Sequence, residues 1–105
     1  MAGCSLTKED IVSSIRQSKT RLTSLGVRSI GLFGSFVRNE ARAKSDIDLL
    51  VEFDPEKKTF DNFIDACFLL EGLFNRKVEL ITRESLSGYI APYVLKEIEY
   101  VLLAN

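Results

Sequence analysis

Hydrophobic positions change their period several times along these 105 residues, and each change marks an element. Ile11, Val12, Ile15, Leu22 and Leu25 recur at helical spacing behind Thr7 and Asp10, a capping-box variant. Ser18 and Lys19 interrupt that stripe, and Gly26 stops it. VRSIGLF, 27–33, predicts a first strand, broken by Gly34 and Ser35, and FVRNEAR behind them predicts a short helix. IDLLVEF, 47–53, is apolar enough for a second strand covered on both faces, and Asp54-Pro55 ends it. Phe60, Phe63, Ile64, Cys67, Phe68 and Leu70 mark a helix that runs to Phe74. KVELIT, 77–82, predicts a third strand, and PYVLKEIEYVLL, 92–103, a final helix with Pro92 in its first turn.

The order is αβαβαβα, without repeats or low-complexity segments. It predicts an α/β (α+β) fold, one domain over 1–105 around a small sheet flanked by helices. Strand direction is not readable from the pattern. Phe60, Phe63 and Phe68 are predicted for the core. Tyr89, Ile90, Tyr93 and Val94 are expected to close the sheet; a partner face or a homo-oligomer seam is the alternative.

Composition narrows the chemistry. The hydrophobic fraction of 46% and charged fraction of 28% are ordinary for a soluble globular protein. A net charge of -1, from 14 basic and 15 acidic residues, supplies no overall field to recruit nucleic acid or an anionic membrane. No direct nucleic-acid binding is expected, and no apolar run approaches the ~20 residues of a membrane span. The opening MAGCS is similar to the end of a lipoprotein signal, but no apolar stretch precedes Cys4, so it reads as a plain N-terminus and the expected setting is the reducing cytoplasm. Histidine is absent, which removes Ser-His-Asp and Cys-His catalysis and a His general base. Cys4 and Cys67 lack metal-ligand spacing, and Cys67 is expected to be a buried, inert thiol. Carboxylates, hydroxyls, Arg, Lys and backbone amides remain, an inventory suited to magnesium held by oxygens.

One constellation uses that inventory. Between 34 and 48 the chain reads G-S-x10-D-x-D. Gly34 permits a sharp turn and close approach of a phosphate, because no Cβ intervenes. Ser35 falls where strand gives way to helix, so its hydroxyl and nearby N–H groups can hold phosphate oxygens. Arg38, one turn on, could reach the same phosphates; Arg42 and Lys44 read as a solvated face. Asp46 and Asp48 are two apart at the head of a strand and so point to one face, with Ile47 and Leu49 on the other. Their repulsion is relieved by a cation, which makes the pair a ready site for one or two Mg2+ ions. Glu79, between Val78 and Leu80, could complete the set from an adjacent strand and accept a proton from an attacking hydroxyl. Either dipeptide motif alone would be a turn or a solvated strand end; the spacing between two strands gives the signal. G-x-x-G at 31–34 has an apolar middle that suits a core rather than an RNA-binding KH loop, and no P-loop Lys-Ser/Thr follows Gly34.

GSFVRNEARAKSDIDLLVEF resembles the signature of the DNA polymerase beta-like nucleotidyltransferase superfamily, and in particular its minimal nucleotidyltransferases. The resemblance also covers VRSIGLF, KVELIT and APYVLKEIEYV. It implies a mixed sheet flanked by helices. It also implies nucleotide contacts from Gly34 and Ser35, and metal binding and catalysis by Asp46 and Asp48 with Glu79 third. That third position is often Asp, and Gly often stands where this chain has Asn39. Many such proteins are antitoxins paired with a helical HEPN toxin, and some transfer AMP from ATP, a nucleoside triphosphate, to a tyrosine on it. The resemblance implies that activity here, with a non-catalytic module that neutralises its partner by contact as the alternative. Transfer to a small molecule such as an antibiotic is a weaker reading, since nothing in the chain looks like a separate acceptor domain.

Overall fold

Thr7 starts the first helix for the reason the sequence suggests. In a computed structural model, which describes residues 6–103, its hydroxyl accepts from the Asp10 N–H at 3.1 Å and its own N–H donates to the Asp10 carboxylate at 3.0 Å. The two bonds satisfy donors that a helix start leaves open. Helix α1, Lys8–Gln17, buries Ile11 and Ile15. The polar interruption at Ser18 is a real break, and α2, Lys19–Ser24, resumes beyond it and buries Leu22. The reading of Cys4 lies outside the described residues.

Strands β1 (Val27–Phe33), β2 (Ile47–Phe53), β3 (Val78–Thr82) and β4 (Glu99–Leu102) form a mixed sheet in the order β3-β2-β1-β4. Strand β1 is antiparallel to both β2 and β4, while β2 runs parallel to β3. That parallel pair requires a crossover, supplied by α3, Phe60–Phe74. Thr59 caps α3 at its start, and Asn75 closes it in the left-handed conformation (φ 49).

Ile47, Leu49, Val51 and Phe53 of β2 join Ile30 and Leu32 of β1 in the main core with Ile11, Ile15, Leu22, Ala66 and Leu70 of the three helices. Each such aliphatic side chain contributes roughly 1.5–3 kcal/mol relative to exposure. Leu50 is fully buried too, on the opposite face of β2, so this strand is covered on both sides as its composition predicts. Asp48 and Glu52 share that opposite face with Leu50.

Several expectations are corrected. FVRNEAR is not a helix. Gly34–Phe36 form one 3-10 turn, and Asn39 enters the left-handed region (φ 58), which no α-helix can continue through. The last helix, α4, covers only Ala91–Glu97. Ile98 is extended, and EYVL becomes β4, where Val101 pairs with Ile30 and is buried while Tyr100 and Leu102 face outward. The period there is two rather than 3.6. Phe60 and Phe68 are 76% and 67% exposed, because α3 buries only the stripe through Ala66 and Leu70. Phe63 is half-buried, its ring 6.4 Å from that of Phe53. Tyr89, Ile90 and Tyr93 are exposed rather than closing the sheet; only Val94 is buried. Cys67 is half-buried, and its thiol is pushed up by burial and by Glu71. Among the described residues no helix is long and apolar enough to cross a membrane.

Candidate active site at the heads of β1 and β2

β1 gives way after Phe33 to Gly34, whose φ of 81 is left-handed. A side chain there would run into the Asp48 carboxylate, so the close approach of these two positions requires glycine. Antiparallel pairing sets Phe33 against Asp48, which brings the turn at Gly34 and Ser35 beside the head of β2. Ser35 is half-buried in that turn, and its carbonyl accepts from the Glu40 N–H at 2.8 Å.

Parallel pairing sets Asp48 against Glu79, so the carboxylate of β3 shares a face with that of β2. Asp46 precedes β2 by one residue, two before Asp48, and its Oδ2 lies 3.9 Å from the Lys77 ammonium. The electrostatic consequence appears at Asp48. Burial pushes its carboxyl up to about 6, the charges of Glu79 and Asp46 add to the rise, Arg38 opposes it, and Glu97 contributes a further push. Asp46 and Glu79, the other two carboxylates read from sequence, therefore both lie close enough to Asp48 to disfavour its charge. Among the described residues, however, no three acidic or sulfur side chains are gathered tightly enough to grip an ion together. The donor set consists of oxygens alone, and the repulsion that Lys77 and Arg38 only partly offset is the condition a hard divalent cation relieves, so the residues suit Mg2+ in kind.

Arg38 is not free. Its Nε donates to Glu40 at 2.8 Å, and its Nη1 donates to both carboxylate oxygens of Glu97 at 3.1 Å. Glu97 Oε2 also accepts from the Gly34 N–H at 2.7 Å. Arg42 and Lys44 are exposed, as a solvated face requires.

Sequence reasoning missed two residues. One is Glu97, which carries no local signature because its partners lie about sixty residues upstream. The other is Arg76. Its guanidinium stands 5.5 Å over the Phe36 ring and donates to the carbonyls of Arg42 and Ser45 at 3.2 and 3.0 Å, tying down the loop that links Ser35 to Asp46. A lone Arg after a helix gives no hint of that role.

The nucleotidyltransferase domain family matches residues 15–101. The chain belongs to this family. It is 43% identical over 97 residues to the protein adenylyltransferase MntA of Thermococcus cleftensis, covering 91% of this chain and 97% of that protein. Among solved structures, one described as a minimal nucleotidyltransferase superposes with a TM-score of 0.64 at 29% identity, over 84% of this chain and 93% of its own. A second, a tri-AMPylated HEPN toxin in complex with MNT antitoxin from Shewanella oneidensis, gives a TM-score of 0.51 at 18% identity over 80% of this chain and 68% of that one, a likeness of fold. The nucleotidyltransferase fold implied by the signature is thus the fold of this chain, a mixed sheet with helices. Asn39, where the resemblance implies that Gly often stands, is left-handed, a conformation glycine adopts without steric cost.

Proposed function

We propose that this nucleotidyltransferase is an antitoxin that transfers AMP from ATP to a hydroxyl of a HEPN-family partner, a tyrosine by resemblance. The observation that carries the reading is the juxtaposition of Gly34 with Asp48, with Asp46 and Glu79 near enough to raise that carboxyl. The 43% identity to a protein adenylyltransferase supports the same chemistry.

In this reading the Gly34–Ser35 turn and Arg38 receive the triphosphate, and the lack of a Cβ at Gly34 lets a phosphate come close. Asp46, Asp48 and Glu79 would hold Mg2+, which when bound supplies charge neutralisation to the triphosphate. The partner's hydroxyl oxygen attacks the α-phosphorus; a new P–O bond forms and the bond to pyrophosphate breaks. Glu79 is proposed to take the hydroxyl proton. Arg76 keeps the loop between the two motifs in place during these steps. The proposed setting is the cytoplasm.

The engagement of Arg38 by Glu97, and the open spacing of the carboxylates, favour a second reading in which the chain neutralises its partner by contact alone. Labelled ATP, the purified chain and its HEPN partner separate the two. Label on the partner that disappears with Asp48→Asn supports transfer. Neutralisation that survives this change, with no label transferred, refutes it.

A further inference from the structure

The geometry points to Glu97 as an internal stand-in for the triphosphate, a carboxylate that occupies the phosphate-binding groups and must leave before nucleotide enters. The inference rests on the reading that Gly34 and Arg38 take phosphate oxygens.

Glu97 is the last residue of α4 and arrives from the far end of the chain. One of its oxygens takes the Gly34 N–H at 2.7 Å, at the short, charge-assisted end of the range, and both oxygens take Arg38 Nη1 at 3.1 Å. A backbone N–H at a glycine turn and an adjacent guanidinium are the donors that recognise a phosphate. Here they hold a carboxylate, the nearest protein equivalent of a phosphate oxygen pair.

Two local effects oppose a negative charge at this point. Glu97 sits at the C-terminal end of a helix, where the backbone dipole disfavours anions. It also lies near enough to Asp48 to push that carboxyl upward. What retains Glu97 is the pair of donors, so a stronger anion that offers the same donors more oxygens displaces it. Ile98 packs over Gly31, where any side chain would collide with it, and β4 is paired along β1, so the chain just beyond Glu97 is anchored. Displacement therefore takes the form of a swing of the Glu97 side chain. Nucleotide affinity is set by competition with this residue, and Glu97 belongs to the nucleotide site although it lies outside the Gly-Ser and Asp-x-Asp pair of motifs.

Isothermal titration of the full chain with AMP-PNP in magnesium buffer tests the competition. Glu97→Gln is expected to bind about tenfold tighter than wild type, the worth of one charge-assisted hydrogen bond. Glu97→Asp, which keeps the charge and shortens the reach, is expected to fall between. Thermal melts of each variant establish that it is folded. In wild type the carboxyl carbon resonance of Glu97 is expected to shift as AMP-PNP saturates. A Glu97→Gln variant that binds equally or more weakly, while Asp48→Asn still impairs uptake, overturns the inference and leaves the functional reading standing. So does a Glu97 resonance that ignores saturating nucleotide. Absence of uptake by wild type and Glu97→Gln alike overturns both.

Discussion

Replacing Asp48 by Asn is expected to stabilise the ligand-free chain while disabling it. In the folded chain the carboxyl is pushed from 3.8 up to about 6, by burial first and then by Glu79 and Asp46. The sign follows from proton counts. Between about 4 and 6 the unfolded chain has released the Asp48 proton while the folded chain retains it, so rising pH favours unfolding across that window. Above about 6 both states are ionised, and the folded state carries the whole penalty. For a fully desolvated carboxyl such a displacement would correspond to about 3 kcal/mol. Asp48 is only half-buried, and solvent screening reduces the expected effect to about 1 kcal/mol. Asn is nearly isosteric and carries no charge, so the Gly34 contact survives and the penalty goes. Urea unfolding in EDTA at neutral pH is expected to show Asp48→Asn more stable by about 1 kcal/mol, or about 4–8 °C in a melt of a chain this size. The gap is expected to close as pH falls toward 4. A variant no more stable than wild type at neutral pH, or a gap that widens on acidification, refutes the electrostatic account of the site.

Gly34→Ala forces a Cβ into the Asp48 carboxylate from a left-handed backbone, and is expected to cost about 1–3 kcal/mol in urea unfolding and to abolish AMP-PNP uptake in calorimetry. Asn39→Val places a β-branched residue at φ 58 and is expected to lose about 1–2 kcal/mol, whereas Asn39→Gly is expected to match or slightly exceed wild type; chemical denaturation of the pair checks the backbone explanation of this position. Ile30→Ala opens a cavity in a fully buried position of central strand β1 and is expected to lower stability by about 2–5 kcal/mol, read from the denaturant midpoint.

These positions differ in how visible they were before folding. β1, β2 and β3 are legible as short apolar runs bounded by turn residues, α3 by its helical spacing, and the break at Ser18 because a polar pair interrupts an apolar stripe. The tail was not. PYVLKEIEYVLL has apolar residues at spacings that serve a helix and a strand equally, and only the open edge of β1 decides that its second half extends. The FVRNEAR segment failed for a local reason. Its composition suits a helix, but the single left-handed residue at Asn39 ends the turn, and one asparagine does not announce its φ. Phe60 and Phe68 were misread because periodicity finds an apolar stripe without saying how wide a stripe the neighbouring layer covers.

The site divides along the same line. Gly34, Ser35, Asp46 and Asp48 sit within one hairpin-like span, so their spacing alone placed them on facing strand ends. Glu79 needed strand order, and the parallel register of β2 with β3 supplies it. Glu97 needed the whole fold, since only the end of α4 brings its carboxylate to the Gly34 N–H. That residue changes what the acidic cluster means. Three carboxylates around a glycine turn would be a site waiting for cations; a fourth, held by the Gly34 N–H and Arg38, would on the proposed reading make it self-occupied and self-repelling at once. Asp48 is raised first by burial and then by the charges of Glu79 and Asp46, while Arg38, which opposes the rise, is itself paired with Glu40 and Glu97. In the proposed reading, a triphosphate arriving with its cations would answer both defects together: its oxygens would replace Glu97 at Gly34 and Arg38, and the cations would relieve Asp46, Asp48 and Glu79. Nucleotide and cation are then expected to bind as one cooperative event, each weak without the other, because each removes the charge imbalance that opposes its companion.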